Sequence, residues 1–494
     1  MLPLLLALLL AVPTFAADEP FAPYDQAMES GDKTTAADEL VAIIDDKKQG
    51  KVHSEALVKL GELLVSFDLP YAALMAYSKA MELDTTPAEP QMSKILGLTH
   101  DLRDELLISP TLANNLDMEV DDESRAFIGL LVARHFTRKS DYGAATAALY
   151  LVPPESAIYA EAQALQGVVL AQQGRYGDAL APLVTAQTVA KTDVLKDQDF
   201  QDLTNLNLGR AYFGAENWGQ SMAAYAKVSR NSPYWAEANF ERAWSHFRAE
   251  DMAGTIGLLY THESPFFEGW LFAEADLLRA YALFLMCKFP EATKRIDAFA
   301  QDYEPIKAEL DAALATATPK AAFSDVVAAK EGGAPASFPL MIIRKFTWEE
   351  RFDDAVTARA VAKDEIRELR GAGGHVFAER ATTWLEERRD EIAAVEGQRV
   401  IEQARLSQTD LAEMLTGIEI TRLDLLNFET QMYERAAQTG ELDFGDRLGK
   451  LRRLRKKRGV WVWPFQGEYW EDELGWYYID ARPDCPADLA AGEQ

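Results

Sequence analysis

The sequence repeats itself at intervals near 34 residues, and this period constrains the fold more than any other feature. The small residues that recur at one place in successive repeats, separated by 34 to 42 positions, are Gly61, Gly97, Ala133, Gly167, Gly209, Ala243 and Ala280. Repeats of this length are single supersecondary units that bury their apolar face by stacking on neighbours. The period therefore predicts an elongated repeat array rather than one compact core.

The residues around these positions resemble the tetratricopeptide repeat (TPR) family, in which two antiparallel helices carry a small residue where they cross. The matching sets are Leu60-Gly61 with Ala73, Tyr77 and Ala80; Leu208-Gly209 with Tyr212, Tyr225 and Pro233; and Gly167 with Gly174, Tyr176, Ala179 and Ala186. A bulky side chain at the crossing would force the helix axes apart. The resemblance covers residues 24 to 305 and implies an α-solenoid. Residues 24–44 are expected to form a half-repeat that acts as a cap.

The region after the array has a different pattern. Residues 331–339 (EGGAPASFP) lack periodicity and are typical of a linker. Beyond them, one predicted helix carries Trp348, Phe352, Ala355, Ala362, Ile366 and Leu369 on a single stripe. After a glycine-rich turn at 371–374, a second predicted helix of residues 376–438 carries a heptad of Ala404, Leu411, Ile418, Leu425 and Met432. These patterns predict a helical hairpin with unequal arms.

The predicted fold class is thus all-α: a TPR-like α-solenoid, then a long helical hairpin or coiled coil, then a short aromatic tail. The predicted segments are a signal peptide (1–16), the repeat array (17–316), a linker (317–339), the hairpin (340–440) and a basic and aromatic tail (441–494). The surplus heptad of the longer arm has three expected outcomes: packing on the array, pairing with another chain, or folding back at Gly397 or Gly417.

The N-terminus indicates export. Residues 2–12 are an unbroken apolar run, and Thr14-Phe15-Ala16 places small residues where a signal peptidase cuts. The run is too short to span a bilayer as a helix. We therefore expect a bacterial protein of the periplasm or one that is secreted, beginning at Ala17 or Asp18.

Charge and cysteine content exclude some partners. The formal net charge of −29 would repel nucleic acid phosphates. The two cysteines, Cys287 and Cys485, are too few for a disulfide framework. The sequence favours two unpaired thiols, although a single bridge would also fit an oxidising compartment.

The tail combines seven cations between Lys450 and Arg458 with tryptophans and tyrosines between Trp461 and Tyr478. Such a combination is compatible with a membrane surface, a glycan or a protein partner. We favour docking of the tail on this chain's own helices, with the aromatic residues supplying the burial. Contact with a membrane is expected through the tail or not at all.

The candidate catalytic groups of the sequence stand in no recognised catalytic motif. The six histidines, His53, His100, His135, His246, His262 and His375, lack metal-ligand spacing and are expected mostly on the surface or in the groove. Carboxylates at Glu468, Glu471, Asp472 and Glu473 are better explained by solubility than by glycosidase chemistry. The sequence therefore predicts no enzyme, no metal and no cofactor.

The resemblance places the first helix of each repeat on the concave face of the solenoid. Its expected inward residues, which would form an aromatic groove for a protein or peptide partner, are Arg210, Phe213, Phe240, Trp244, Phe247, Tyr281 and Phe284. An equally weighted alternative is that the chain's own C-terminal helices fill this groove. The sequence thus predicts a scaffold or adaptor of the cell envelope. The alternative is a self-associating structural component, a homo-oligomer joined through the long arm.

Overall fold

The computed structural model describes residues 20–192, 198–371, 373–439, 474–477 and 479. Every regular element in these ranges is helical, which confirms the all-α fold class. Short 3₁₀ segments lie at Lys47–Val52, Thr86–Gln91, Tyr260–Glu263, Pro265–Phe267 and Arg344–Trp348. The α-helices are α1 (Ala22–Glu29), α2 (Lys33–Asp45), α3 (His53–Ser66), α4 (Pro70–Leu83), α5 (Met92–Leu102), α6 (Glu105–Ala113), α7 (Asp122–Arg138), α8 (Tyr142–Leu149), α9 (Tyr159–Gln172), α10 (Tyr176–Thr192), α11 (Gln198–Gly214), α12 (Trp218–Tyr225), α13 (Trp235–Arg248), α14 (Met252–Leu259), α15 (Ala273–Leu285), α16 (Phe289–Thr316), α17 (Pro319–Lys330), α18 (Leu340–Ile343), α19 (Glu350–Gly371) and α20 (Val376–Thr439).

The chain divides into two compact units. Unit 1 is drawn from Met1–Val132 and Asp354–Ile392, and unit 2 from Ala133–Asp353 and Ala393–Gln494. This division differs from the predicted segments, because the sequence places residues 340–440 in one separate hairpin. Much of α19 and the start of α20 instead belong to the unit that holds the first repeats.

Tight turns join the helices in pairs from α1/α2 to α15/α16, and one residue of each turn has a left-handed backbone. With φ between 55° and 80°, these residues are Gly31, Asp68, Arg103, Ser140, Gly174, Glu216, Glu250 and Cys287. In each turn the next N–H donates to the carbonyl oxygen five positions earlier, as Leu69 does to Leu64 and Asp251 to His246. This is the Schellman hydrogen bond, which satisfies a carbonyl left unpaired at the helix end. The turns therefore set a common register for every hairpin.

Seven residues before the left-handed position, the two helices of a hairpin cross closely. A Cβ at Gly61 would lie 2.8 Å from the ring of Tyr77, and one at Gly209 or Gly167 would overlap Tyr225 or Leu183. Ala133, Ala243 and Ala280 occupy the same place and are fully buried. The prediction that these small residues allow close helix approach is confirmed.

Two details of the repeat assignment were wrong. Gly97 is exposed and a Cβ there would meet open space; the buried residue at the crossing register is its neighbour Leu96. Residues 24–44 do not form a half-repeat, since α1 and α2 make a complete short hairpin around Gly31. Gly31 makes the turn, because glycine has no Cβ that would disfavour a left-handed backbone.

The segment predicted as a linker is ordered by an acid within it. Residues 319–330 form α17, in which Phe323 and Asp325 are buried. The Asp325 carboxylate accepts the N–H groups of Ala336, Ser337 and Phe338 at 2.8 to 2.9 Å. These bonds replace the water that would otherwise solvate the loop backbone. The Gly/Pro-rich stretch is therefore anchored to α17.

The two predicted helices after the linker are present as α19 and α20. Within unit 1 they run antiparallel, with Arg370 paired to Glu386 and Arg359 donating to the carbonyl oxygen of Arg389. The expected stripe is buried from Phe352 to Leu369. Trp348 departs from it, because it lies before α19 and is 60% exposed.

The heptad of α20 packs inside this chain. Its members Ala404, Leu411, Ile418 and Leu425 are at most 2% exposed, while the side chain of Met432 lies outside the described residues. Gln408 donates to Asp311 of α16 at 2.5 Å, and Arg422 pairs with Asp297 of the same helix at 3.1 Å. Packing on the array is thus the outcome among the three expected ones, and α20 continues through Gly397 and Gly417 without folding back.

Unit 1 buries a small ionic network. Arg388 donates to both carboxylate oxygens of Asp104 at 2.6 and 2.8 Å, and the Tyr71 hydroxyl donates to the same carboxylate at 2.6 Å. Nearby, Glu365 of α19 accepts the N–H groups of Tyr71 and Ala72 at the start of α4. Burial raises the pKa of Glu365 to about 7. The first turn of α4 is therefore capped by a carboxyl from a distant helix.

The described residues contain no helix that is both long and apolar enough to cross a bilayer. The predicted signal peptide, the basic stretch from Lys450 to Arg458, Cys485 and the tail carboxylates lie outside the described residues.

Gly397→Ala should destabilise unit 2, because a Cβ there would overlap the Pro319 carbonyl at the start of α17. Gly417→Ala is the matched control on the same helix, since nothing lies within 4 Å of the position. Alanine at 417 should be neutral or stabilising by up to about 1 kcal/mol through helix propensity. Thermal melts of both variants test this, and equal melting temperatures would contradict close packing at Gly397.

Glu365→Gln should change how stability depends on pH. Since the pKa in the folded chain is raised above its ordinary value, the native state keeps a proton that the unfolded state loses, so stability falls as pH rises from about 4.5 through 7. Glutamine does not titrate, so the variant lacks this pH-dependent loss of stability. The difference in unfolding free energy between variant and wild type should therefore change by up to about 3 kcal/mol between pH 4.5 and pH 7. Urea titrations at several pH values measure it. Glu379→Gln, at an exposed site on α20, is the control; parallel curves for all three proteins would contradict the assignment.

Candidate functional site

A groove of about 710 Å³ opens in unit 2 at the ends of stacked helices. Its walls come from α11 and α13 and from residues at the ends of α10, α12 and α15. The lining residues are Tyr176, Arg210, Phe213, Gly214, Glu216, Trp218, Tyr225, Glu241, Trp244, Arg248 and Glu274. Four successive helix pairs, from α9/α10 to α15/α16, therefore contribute to one concavity.

The aromatic wall is held by packing between repeats. The ring of Tyr176 occupies the space where Gly214 lacks a side chain, and Tyr176 remains 37% exposed. Phe213 and Trp218 meet edge to face at 5.0 Å, and the guanidinium of Arg248 lies 5.2 Å above Trp218. Such contacts fix ring orientations before anything binds. The wall is thus a preformed apolar surface.

An ionic cluster forms the base of the groove. Arg210 donates to Glu241 through both Nε and Nη2, at 2.6 to 3.0 Å, and Nη2 also reaches Glu237 at 2.7 Å. Burial raises the pKa of Glu237, and Arg210 opposes this shift. Arg210 is consequently committed to two carboxylates of the next repeat.

Trp244 and Glu274 form the opposite side. The indole Nε1–H donates to Glu274 at 3.0 Å, and Trp244 packs edge to face on Phe247 at 5.5 Å. The pKa of Glu274 is raised, first by partial desolvation and then by the nearby acids Asp410 and Glu241. The indole is therefore held against a carboxylate in an acidic surrounding.

These pairs follow a rule along unit 2. In each pair, the first residue directly follows the crossing residue of its repeat. Its partner is a glutamate of the next repeat, six positions before the crossing residue of that next repeat. The contacts are Arg134 with Glu161 at 2.7 Å, Arg210 with Glu237 at 2.7 Å, and Trp244 with Glu274 at 3.0 Å. Each glutamate stands in an Ala-Glu-Ala sequence. That recurring tripeptide is the signal from which the sequence could have located this face.

The structure brings together three of the seven predicted groove residues. Arg210, Phe213 and Trp244 line the groove. Phe240 and Phe247 do not line it, although they pack, as Trp244 does, beside the buried cluster around Ala243, Leu258 and Leu278. Tyr281 is partly buried and does not line it. Residues that the sequence reasoning missed are Tyr176, Trp218, Glu241 and Glu274.

Phe284 has a partner from the chain itself. Its ring meets Phe428 of α20 edge to face at 5.7 Å, and Phe428 also contacts Phe289. The alternative in which the C-terminal helices cover the predicted surface thus applies at Phe284. The groove at Trp244 remains open.

A short piece of the tail docks on unit 2. Gly475 N–H donates to the Thr261 hydroxyl at 2.9 Å, and Arg230 donates to the Leu474 carbonyl oxygen at 3.0 Å. Leu474 is 4% exposed and packs with Ala236 and Phe267. The described piece of the tail thus docks on its own chain, as expected, but Leu474 supplies the burial there and Trp476, one of the expected aromatic residues, is 65% exposed.

Other predicted chemical groups lie away from the groove. His135 is buried, and burial lowers the pKa of His262 to about 4, so neither is the surface residue that the sequence suggested. Cys287 is disulfide-bonded, which corrects the expectation of unpaired thiols. Within the described ranges, no three His, Cys, Asp or Glu side chains are placed to hold a metal ion.

The likeness of this chain to known proteins is distant. No protein-family model and no curated protein matches the chain. Among solved structures, a tetratricopeptide repeat protein from Parabacteroides merdae is 14% identical, with a TM-score of 0.28 over 57% of this chain and 91% of that one. A Rap protein complexed with competence and sporulation factor is 11% identical, with a TM-score of 0.28 over 76% and 99%. Neither superposition is close enough to support a functional argument.

Leu474→Ala should loosen the docked tail, because it removes a side chain buried against Ala236 and Phe267, at a cost of ~2 kcal/mol. Trp476→Ala is the control, since Trp476 is 65% exposed and its main contact is Arg242 at 5.9 Å. Proteolysis rates at the C-terminus under native conditions measure the release. Faster cleavage of the Trp476 variant than of the Leu474 variant would contradict docking by burial.

Proposed function

We propose that this chain is a non-enzymatic protein-binding scaffold or adaptor whose groove receives a segment of a partner protein. The observation that carries the proposal is the preformed aromatic wall of Tyr176, Phe213, Trp218 and Trp244 in an open concavity. Large aromatic side chains with a fixed orientation are typical binding hot spots. Four successive helix pairs contribute to the groove, so an extended segment would contact each of them in turn.

The place of action is proposed from the sequence. The apolar N-terminal run followed by Thr14-Phe15-Ala16 favours export, and hence a role in the bacterial envelope, in the periplasm or after secretion.

Self-association through the long arm is the weaker candidate. It depended on an unpartnered heptad, and Leu411, Ile418 and Leu425 are buried within unit 2. The stripe that would have paired two chains already packs against α16.

Trp244→Ala and Phe213→Ala should each weaken capture of a partner from the native envelope fraction, by ~2 kcal/mol or more if these residues are hot spots. The matched control is Trp348→Ala, which removes an indole that is 60% exposed and lies outside the groove. Crosslinking pull-downs with each variant, accompanied by circular dichroism, measure binding and helix content separately.

Capture that survives both groove substitutions, or that is lost equally with Trp348→Ala, would contradict the groove as the binding site. A loss of helix content would show that these rings are structural.

A further inference from the structure

The charges around the groove are unequal. The carboxylates at the groove are Glu216, Glu237, Glu241, Glu274 and Asp410. Glu216, Glu241 and Glu274 line it, whereas Glu237 bonds Arg210 and Asp410 faces Glu274. The cations are Arg210, Arg248 and Lys345, the last of which faces Glu237 and Asp410. Five acids against three bases leave the site negative, in a chain whose net charge is −29. A segment that binds here is favoured if it brings positive charge.

The excess is concentrated at Glu274. Arg210 is taken up by Glu237 and Glu241, and Arg248 lies over Trp218. Among the described residues, Glu274, by contrast, accepts from a single neutral donor, the indole N–H of Trp244. An ionised carboxylate offers about four acceptor positions. Most of the hydrogen-bonding capacity of Glu274 is therefore open toward the groove.

The neighbouring indole is suited to the same ligand. Trp244 lines the groove, and among the described residues no cation stacks on its ring. The Arg248–Trp218 contact in the same groove shows a guanidinium held on an indole face at 5.2 Å. A tryptophan face beside a carboxylate attracts a cation by two independent forces, the ring quadrupole and the ion pair.

We propose that the groove recognises a basic side chain, an arginine or lysine, of the partner segment, which lies on the Trp244 indole and pairs with Glu274. This inference rests on the proposed function and names the chemistry of its partner. The flanking apolar residues of the segment contact Phe213, Trp218 and Tyr176. Arginine fits best, because its planar guanidinium stacks and donates to a carboxylate at the same time.

The probe is a random dodecapeptide library displayed on phage, selected against the full chain. The selected peptides should be enriched in arginine and lysine beside apolar residues relative to the unselected library. One selected peptide is then synthesised with arginine and, separately, with citrulline, which keeps the shape and removes the charge.

Affinities from fluorescence anisotropy complete the test. Glu274→Gln in the protein removes the ion pair and should weaken binding about tenfold, whereas citrulline in the peptide removes both the ion pair and the cation–π contact and should weaken binding at least as much. The combination should be no weaker than citrulline alone, because the ion pair is already absent there. Glu268→Gln, an exposed acid outside the groove, should leave affinity unchanged.

The outcomes separate this inference from the proposed function. If Trp244→Ala and Phe213→Ala abolish binding while the citrulline peptide binds as well as the arginine peptide, the groove binds peptides and the cation is wrong. Losses that multiply in the combined variant would also overturn it. Selection of no peptide above a bead-only control would remove the groove as a peptide site, and the cation with it.

Discussion

Where a glycine or alanine stands at the crossing of a hairpin, the distance between its two helices depends on one pair of residues sixteen positions apart. Glycine faces tyrosine in Gly61/Tyr77 and Gly209/Tyr225, and alanine faces leucine in Ala243/Leu259. Because an interior packed to crystal-like density tolerates little change in volume, a small residue on one helix requires a large one on the other. The Schellman turn keeps the pair in register. The positions of the groove rings, carried on the same helices, follow from this spacing.

The sequence predicted what depends on residues close together in the chain. The crossing residues, the long arm from Val376 and the buried heptad from Ala404 to Leu425 follow from periodicity, which reports one helix face at a time. The turns were harder. Glycine signals a left-handed backbone at Gly31 and Gly174, but Asp68, Arg103 and Cys287 adopt it with side chains that pay a steric cost, and no local pattern marks them.

What the sequence missed depends on contacts between distant residues. Asp325 orders a loop of linker composition, and Glu365 caps a helix nearly three hundred residues earlier in the chain. In the groove, Arg210, Phe213 and Trp244 could be placed from the repeat register. Trp218 and Glu274 could not, because the first begins a second helix and the second belongs to the following repeat. The repeat register predicts which residues of one helix face inward. It does not predict which residues of the neighbouring helices join them in the groove.

The side-chain contacts between successive repeats also determine how unit 2 responds to mechanical load. The pairs Arg134–Glu161 and Arg210–Glu237 join one repeat to the next with directional bonds. At the step from α9 to α11 the position of the glutamate is occupied by Leu203, which cannot accept a hydrogen bond. The first helices of that step are joined by apolar contacts such as those of Leu170 and Leu208, which resist separation more than sliding, while a hydrogen bond between the same repeats, from Gln187 to Asn205 at 2.5 Å, comes from the second helix α10. The stack is mechanically uneven, stiff where a carboxylate spans the joint and compliant where leucine replaces it.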